Sequence, residues 1–445
     1  MAVKEARFGG MLDQLFKISQ RGSSVRTEVI AGITTFLTMG YILFVNPSIL
    51  GLGGNGLPFE QVLSVTALAA GVMTLAMGLF GNYPFAIAAG LGLNAFVAYA
   101  LVGGGLTFPQ AMGVIVAEGL LITLLVITGI REAIVDAIPM DLKRAIGIGI
   151  GAFIALIGLV EAGVVSPEGA TPLALGANLT SQPVAVFLVG FVITAGLVAR
   201  KVKGALLIGI VASTAMAVLV GVSKLPGSVV AMPDFTLVGK FDFSFVEALG
   251  WGTAIAVVVS VALSDFFDTM GTVIGIGGEA DLLDKDGKLP GMRNVLLVDS
   301  LAAVVGGLMS SSSNTTYIES ASGVAEGGRT GLTSVVTGLL FLAAMFVSPL
   351  AGVVPAQATA PALVIVGYFM MTLVKDIKWS DPGIGIPALL TILLMPFTYS
   401  ITNGVGAGFL AYVILAAIRG KAEEVHWLLW IVAIVFAWYF VHGAI

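Results

Sequence analysis

The composition of this 445-residue chain excludes a soluble protein, because 58% of its residues are hydrophobic, only 11% are charged, and the mean hydropathy is +1.04. Soluble domains carry roughly 25% charged residues, so most of this surface must face lipid. The chain has no cysteine and only two histidines, both near the C-terminus, which excludes a disulfide, a thiolate site and a Ser-His-Asp triad in the membrane body. A net charge of −5 without a basic run predicts no nucleic-acid partner.

The hydropathy pattern predicts fourteen membrane-spanning segments, because a transmembrane helix needs about 20 mostly apolar residues. No cleavable signal peptide precedes them, since the first 27 residues are polar and charged. A further apolar and aromatic stretch at 427–442 fits a membrane span, an interfacial helix or a dimer contact. The fourteen predicted spans are 28–48, 62–81, 86–102, 108–129, 140–160, 183–199, 204–222, 251–275, 295–311, 314–326, 331–350, 358–375, 384–399 and 402–418.

The basic residues support this count, because cytoplasmic loops are enriched in Lys and Arg. If the N-terminus is cytoplasmic, fourteen spans place 19 of the 21 Lys and Arg residues inside and only Lys224 and Lys240 outside. The sequence therefore predicts a multi-pass protein of the cell (inner or plasma) membrane with its N-terminus in the cytoplasm. Fourteen spans also suggest two inverted repeats of seven, an arrangement common in secondary transporters.

Spans three and ten are unusual among the fourteen. Span three is punctuated by glycines around Asn94, and span ten lies in the polar run SSSSNTTYIESASGVAEGG (310–328). Irregular backbone at membrane depth occurs only inside protein or beside a cavity, and interrupted segments at matching positions of two halves point to a transport site. We therefore predict half-helices that present free backbone groups to a substrate. The serines and threonines of span ten either contact the ligand or cap the half-helices.

Five carboxylates lie within predicted spans, where a charge costs at least about 2.5–3.5 kcal/mol on insertion scales. No Lys or Arg lies in the middle of a span, so ion pairs cannot neutralise all of them. Burial favours the protonated form of a carboxyl group, which makes such acids candidate proton carriers. Asp265 and Glu319 lie in polar clusters, on segments expected to be broken or flanked by glycine, and are the first candidates for substrate contact. The five acids are Glu118, Asp265, Asp268, Asp299 and Glu319.

The other three acids have competing interpretations. Asp268 lies three residues after Asp265, on roughly the same helix face, and either relays protons or braces the broken helices. Glu118 and Asp299 stand alone in apolar helices, which favours a structural role such as bonding a neighbouring helix end.

Four motifs resemble the azaguanine-like branch of the nucleobase–cation symporter (nucleobase–ascorbate transporter) family, the purine permeases. The motifs are EVIAGITTFLTMGYILFVNPSIL (28–50), AGLGLNAFVAY (89–99), SDFFDTMGT (264–272) and SSSNTTYIESASGVAEGGRTGLTSVVTG (311–338). The resemblance extends from about residue 15 to about residue 440.

The resemblance implies an all-α polytopic membrane fold of fourteen transmembrane segments in two inverted repeats of seven. It also implies short extended stretches in segments 3 and 10, and homodimers formed through the gate domains. The implied division of the chain is a cytoplasmic N-terminus (1–27), the first half of a core domain (28–130), the first half of a gate domain (131–222), an extracytoplasmic loop (223–250), the second half of the core domain (251–350), the second half of the gate domain (351–419) and a C-terminal hydrophobic segment (420–445).

The resemblance also implies a substrate site. The family's two purine-binding acids match Asp265 and Glu319, and its span-three asparagine matches Asn94. The second acid of span eight, which is tied to coupling or to site integrity, matches Asp268. Thr315, in TTYIE (315–319), matches the TTYxE pattern of the related uracil permeases and is a weaker candidate.

Aromatic side chains next to these positions are weaker candidates for stacking on a purine ring. They are Phe96, near Asn94, and Phe266 and Phe267, beside Asp265. Simple helix packing is the alternative interpretation of all three rings.

The implied function is import of hypoxanthine, guanine or adenine by proton symport, with the core domain sliding past the gate domain. Glu319 or Asp268 would carry the proton, Na⁺ is the alternative coupling ion, and no cofactor or metal is expected. The chain lacks an ATP-binding loop and the Gly-x-Gly-Asp signature of intramembrane aspartyl proteases, so we expect a transporter and no enzyme. The alternatives are a uracil or xanthine carrier and, less favoured by the acidic site, an anion exchanger of the same fold.

Overall fold

The computed structural model describes residues 10–129, 138–168, 171–176, 178–280, 282–283 and 289–442. Its α-helices are α1 (Val25–Met39), α2 (Ile42–Leu50), α3 (Phe59–Ala76), α4 (Leu91–Ala95), α5 (Phe108–Thr128), α6 (Met140–Glu161), α7 (Gln182–Ala199), α8 (Ala205–Leu219), α9 (Phe245–Leu249), α10 (Trp251–Glu279), α11 (Met292–Leu308), α12 (Ser320–Ala325), α13 (Gly331–Ala344), α14 (Ser348–Ala351), α15 (Ala356–Met371), α16 (Pro382–Thr398), α17 (Ile401–Ile418) and α18 (Trp427–His442). Its strands are β1 (Ile87–Ala89), β2 (Val165–Glu168), β3 (Thr171–Leu175) and β4 (Asn314–Thr316).

The described part of the chain is a mostly helical, polytopic membrane fold, as the hydropathy pattern predicts. Within it, nine helical stretches are long and apolar enough to cross a membrane, and four further apolar helices are shorter. Every predicted span coincides with one or more helices. Some of these helices are shorter than a membrane crossing needs, so the count of fourteen crossings stays a prediction. The stretch predicted at 427–442 is helix α18, which packs on α10 and α17.

Extended backbone occurs in both interrupted segments, and the two stretches meet. Strands β1 and β4 pair antiparallel, with Ala88 opposite Thr315. The pairing continues at one end, where the Gly90 N–H donates to the Ser313 carbonyl at 2.8 Å. Each strand leads into a short helix, α4 or α12. Segments far apart in sequence therefore converge on one small sheet inside the helical body.

Span one is less continuous than its sequence suggests. It is divided at Gly40 and Tyr41, between α1 and α2, and Tyr41 is buried at the division. Helix α10 is continuous over 29 residues through the motif SDFFDTMGT, as the single predicted span 251–275 suggests. Asp265 and Asp268 therefore lie on an unbroken helix.

The helices pack into two groups. The first group contains α1–α5, α10–α14 and the β1–β4 pair, and the second contains α6–α8 and α15–α18. Fewer contacts join the groups, chiefly α10 with α17 and α18, and α4 with α6. Gly92 of α4 lies so close to Ile150 of α6 that a β-carbon there would collide with the isoleucine side chain.

Polar contacts also join the two groups at opposite ends of the molecule. The Tyr99 hydroxyl donates to Glu161 Oε1 at 2.6 Å, and Lys203 forms an ion pair with Glu326. Under the predicted topology, the first contact lies near the outer face and the second near the cytoplasmic face.

The sequence did not predict the hairpin β2–β3, which follows α6 and places Val165 opposite Leu175. Strand pairing depends on the cross-strand partner more than on intrinsic propensity, and such short strands carry no hydropathy signal.

Candidate substrate site

The candidate residues converge where the β1–β4 pair meets helix α10. Asn94 lies on α4, Thr315 on β4, and Glu319 immediately before α12. Asp265 and Asp268 approach from α10, where the Thr269 and Thr315 hydroxyls hydrogen-bond at 2.8 Å. The arrangement brings together acids and amides from three segments that are far apart in the sequence.

Asp265 is almost completely buried, with 1% of its surface exposed. Neither carboxylate oxygen has a hydrogen-bond partner among the described residues. The Thr315 hydroxyl lies close to the carboxylate, but it hydrogen-bonds to Thr269. The Ser264 hydroxyl beside it is also buried and unpaired in the described structure. An unpaired buried carboxylate is costly, so the arrangement favours a ligand or a proton that pairs with Asp265.

Glu319 is partly exposed and is held by a residue that the sequence did not single out. The Tyr41 hydroxyl donates to Glu319 Oε1 at 2.6 Å, and the Ser322 hydroxyl donates to the Glu319 backbone carbonyl at 2.7 Å. The division between α1 and α2 allows Tyr41 to reach Glu319.

Asn94 is oriented by a second residue that sequence reasoning missed, Asn46. The Asn46 amide nitrogen donates to Thr66 Oγ1 at 2.8 Å and to the Ser311 carbonyl at 3.0 Å. Because a carbonyl can only accept, the Asn46 oxygen must face Asn94, whose amide nitrogen donates to it at 3.0 Å. The Asn94 oxygen is buried and unpaired in the described part of the chain. Asn94 therefore offers an acceptor.

The sequence carried a weak signal for Asn46. It lies in an apolar span, and it belongs to the motif EVIAGITTFLTMGYILFVNPSIL. Its partner could not be identified, because the contact joins α2 to α4 across 48 residues.

Replacing Asn46 with alanine is expected to weaken purine binding by about tenfold. The reason is that Asn94 loses the acceptor that fixes its amide, at a cost of about 1 kcal/mol or more. Isothermal titration of purified protein measures the change. Asn403→Ala is the matched control, because Asn403 is a buried asparagine of α17 that accepts from Tyr439 outside the site. An Asn46→Ala affinity equal to that of the control would refute this role.

Three further acids lie in or next to the site. Asp268 is partly exposed and interacts electrostatically with Asp299 and Glu319. Asp299 Oδ1 accepts from the Thr316 backbone N–H at 2.9 Å and from its hydroxyl at 2.7 Å, which ties α11 to β4. Glu118 Oε1 accepts from the Ser313 hydroxyl at 2.7 Å.

The aromatic candidates lie in the hydrophobic core. Phe96 and Phe266 are 1% and 3% exposed, which agrees with the alternative of helix packing. The Phe267 side chain lies outside the described residues. Two surface cavities, of about 390 and 580 Å³, are lined by other residues, among them Lys224 and Arg329.

Comparison with known proteins identifies the family. A sequence model described as "Permease family" matches residues 26–438. The chain belongs to this permease family. The permease is 42% identical over 429 residues to adenine permease AdeP of Escherichia coli (strain K12), covering 96% of this chain and 95% of that one. It is also 42% identical over 430 residues to guanine/hypoxanthine permease PbuO of Bacillus subtilis (strain 168), covering 95% and 98%.

These relatives confirm the resemblance to the purine-permease branch of the nucleobase–ascorbate transporter family. They also confirm that the permease is a transporter and not an enzyme. The relatives leave the roles of individual site residues as predictions.

Solved structures share the fold of the permease. The transmembrane domain of the cyanobacterial bicarbonate transporter BicA aligns with a TM-score of 0.62 at 14% identity, covering 86% of this chain and 97% of that one. The murine anion transporter Slc26a9, in its inward-facing state, aligns with a TM-score of 0.62 at 12% identity, covering 88% and 68%. At this identity the likeness concerns the fold alone.

Proposed function

We propose that the permease imports purine nucleobases (hypoxanthine, guanine or adenine) across the cell membrane by proton symport. The observation that carries this proposal is Asp265, a buried carboxyl group without a hydrogen-bond partner in the described structure, beside the β1–β4 pair. The activities named for AdeP and PbuO support the same substrate class.

The site chemistry suits a purine. Asp265, Glu319 and the Asn94 oxygen are all acceptors, so the best ligand is a neutral, flat molecule with several N–H donors on its edge. Ring N–H groups and exocyclic amines of purines supply such donors. A wrong base that left one acceptor unpaired would lose about 1–3 kcal/mol, which is enough for selection.

The several carboxyl groups of the site support the proposal of proton coupling. Asp268 and Glu319 interact with each other and lie in spans without a central Lys or Arg. A proton on either acid, together with a bound purine, removes the cost of moving uncompensated charge through the membrane. Na⁺ is the alternative coupling ion, and no cofactor or metal is needed.

The proposed movement uses the two helix groups. The first group, which carries all the candidate site residues, acts as the core domain, and the second acts as the gate domain. The core slides past the gate and carries the substrate across. We further propose fourteen segments in two inverted repeats of seven, a cytoplasmic N-terminus and a homodimer formed through the gate domains. The proposed boundary between residues 130 and 131 lies outside the described residues.

A counterflow experiment tests the substrate class. Proteoliposomes are preloaded with unlabelled hypoxanthine, and entry of labelled hypoxanthine is measured against external adenine, guanine, xanthine, uracil or bicarbonate. Competition by adenine or guanine alone is expected. Competition only by uracil or xanthine would favour the alternative nucleobase carrier, and inhibition by bicarbonate alone would favour an anion exchanger. Repeating uptake with an inward H⁺ or Na⁺ gradient identifies the coupling ion.

A further inference from the structure

Glu118 lies next to the start of strand β4, beside Ser313. It is fully buried on α5, and its Oε1 accepts the Ser313 hydroxyl at 2.7 Å. Its Oε2 is buried without a hydrogen-bond partner in the described structure. The Ser313 carbonyl accepts from Gly90 N–H, so the serine links Glu118 to the start of α4.

Glu118, Asp265 and Asp299 form a cluster of interacting carboxyl groups. Asp268 interacts electrostatically with both aspartates of that cluster. Helix α5 packs against α9, α10, α11 and the π-helical turn Phe96–Val102. The ionisable side chains of these elements whose placement is described are Glu247 on α9, Asp265 and Asp268 on α10, Arg293 and Asp299 on α11, and Tyr99 in the turn.

Arg293 is the one cation among the described side chains named above, and it does not neutralise the charge of the three carboxyl groups. Arg293 is exposed and its guanidinium donates to the Ile127 carbonyl at 3.3 Å. Ile127 is nine residues from Glu118, about 13.5 Å along the helix. With no other cation beside them among the described residues, the three interacting carboxyl groups are not expected to be ionised together, so the cluster holds at least one proton.

The hydrogen bonds indicate where that proton resides when purine is bound. Asp299 Oδ1 accepts two hydrogen bonds from Thr316, which stabilise its ionised form. Purine donors would do the same for Asp265. Glu118 accepts a single hydrogen bond and has an unpaired oxygen to carry a proton.

We infer that Glu118 is a positioning residue that takes the shared proton when purine binds, and so keeps Asp265 ionised for the base. This inference rests on the proposed function for its substrate. Glu118 touches no purine in this scheme and acts through Asp265. It adds a proton site on α5 to the acids expected to couple transport, Asp268 and Glu319.

Infrared spectroscopy of the protein with bound adenine tests the proton site. Purified wild-type protein saturated with adenine is expected to retain the carbonyl band of a protonated carboxyl group at neutral pH, and Glu118→Gln is expected to lose intensity from it. Glu424→Gln is the control, because Glu424 is an exposed acid that forms an ion pair with Lys421 and is not expected to contribute to this band. Equal band intensity in wild type and Glu118→Gln would overturn the inference.

Ser313→Ala serves if Glu118→Gln fails to fold. It keeps the carboxyl group but removes the donor that stabilises its ionised form. The protonated band is then expected to persist to higher pH than in wild type. An unchanged titration would overturn the inference.

Purine binding measured against pH separates this role from a structural one. The wild-type affinity is expected to fall as pH rises, because loss of the Glu118 proton places a second charge beside Asp265. In Glu118→Gln the slope of log affinity against pH should decrease by up to about one proton. An unchanged slope in a folded variant contradicts the role of Glu118. Absence of purine binding by wild type contradicts the proposed function, whereas binding of adenine with an unchanged band in Glu118→Gln contradicts the inference alone.

Discussion

Replacing Asp265 with asparagine is expected to abolish purine uptake and to weaken purine binding by about tenfold to a hundredfold or more. The carboxylate has no hydrogen-bond partner in the described structure, so its acceptor capacity is directed to the ligand. Each hydrogen bond to a charged group contributes about 1.5–3 kcal/mol, and about 1.4 kcal/mol corresponds to a factor of ten in affinity. The asparagine amide also places N–H donors against the donors of the base.

Equilibrium binding of labelled adenine and hypoxanthine to purified Asp265→Asn measures the effect. Asp242→Asn is the matched control, since Asp242 is an exposed aspartate between the two halves whose carboxylate caps Ser244. Its hydrogen bonds to Ser244 hold the pKa of Asp242 below the usual value, so the carboxylate is ionised like that of an ordinary surface acid. Normal transport by Asp265→Asn would make Asp265 a structural acid.

Replacing Glu319 with glutamine is expected to eliminate uphill accumulation of purine and to reduce affinity by about tenfold. The glutamine oxygen can still accept from Tyr41, so the local structure is kept, but the side chain can neither ionise nor release a proton. Uptake is measured with and without an inward proton gradient.

Two further variants test whether the effect of Glu319→Gln comes from the loss of a titratable carboxyl group at this position. Tyr41→Phe removes the donor but keeps the carboxyl group, and it is expected to retain gradient-driven accumulation at reduced affinity. Glu424→Gln alters an exposed acid paired with Lys421 and controls for the loss of a negative charge. Accumulation by Glu319→Gln equal to that of wild type would exclude Glu319 from coupling.

The positions of the helices and of the membrane acids were predictable from the sequence. Each span is an apolar run, and a carboxyl group inside such a run is expensive enough to stand out. Irregular backbone in spans three and ten was also predictable, because the glycines around Asn94 and the polar run before Glu319 do not suit a lipid-facing helix. That this backbone is extended was implied by the family resemblance alone.

The contacts of those acids were not predictable from the sequence. The Tyr41–Glu319 and Glu118–Ser313 hydrogen bonds join residues 278 and 195 positions apart. Hydropathy describes one segment at a time and contains no information about which segments become neighbours. The orientation of Asn94 likewise depends on Asn46 and on the Ser311 carbonyl, a chain of contacts that only the folded protein forms.

The sequence described the segment around Asp265 as either broken or flanked by glycine, and the structure shows a continuous helix. SDFFDTMGT contains two acids and one glycine, but a helix surrounded by other helices tolerates them. Packing against α5, α17 and α18 stabilises α10 regardless of the propensity of its individual residues.

The structure of the permease with adenine or hypoxanthine bound tests the central claim most directly. The account predicts the base between β4 and α10, with donors within hydrogen-bonding distance of Asp265 and Glu319 and of the Asn94 oxygen. A base bound elsewhere in the protein, with Asp265 still unpaired, would contradict the account.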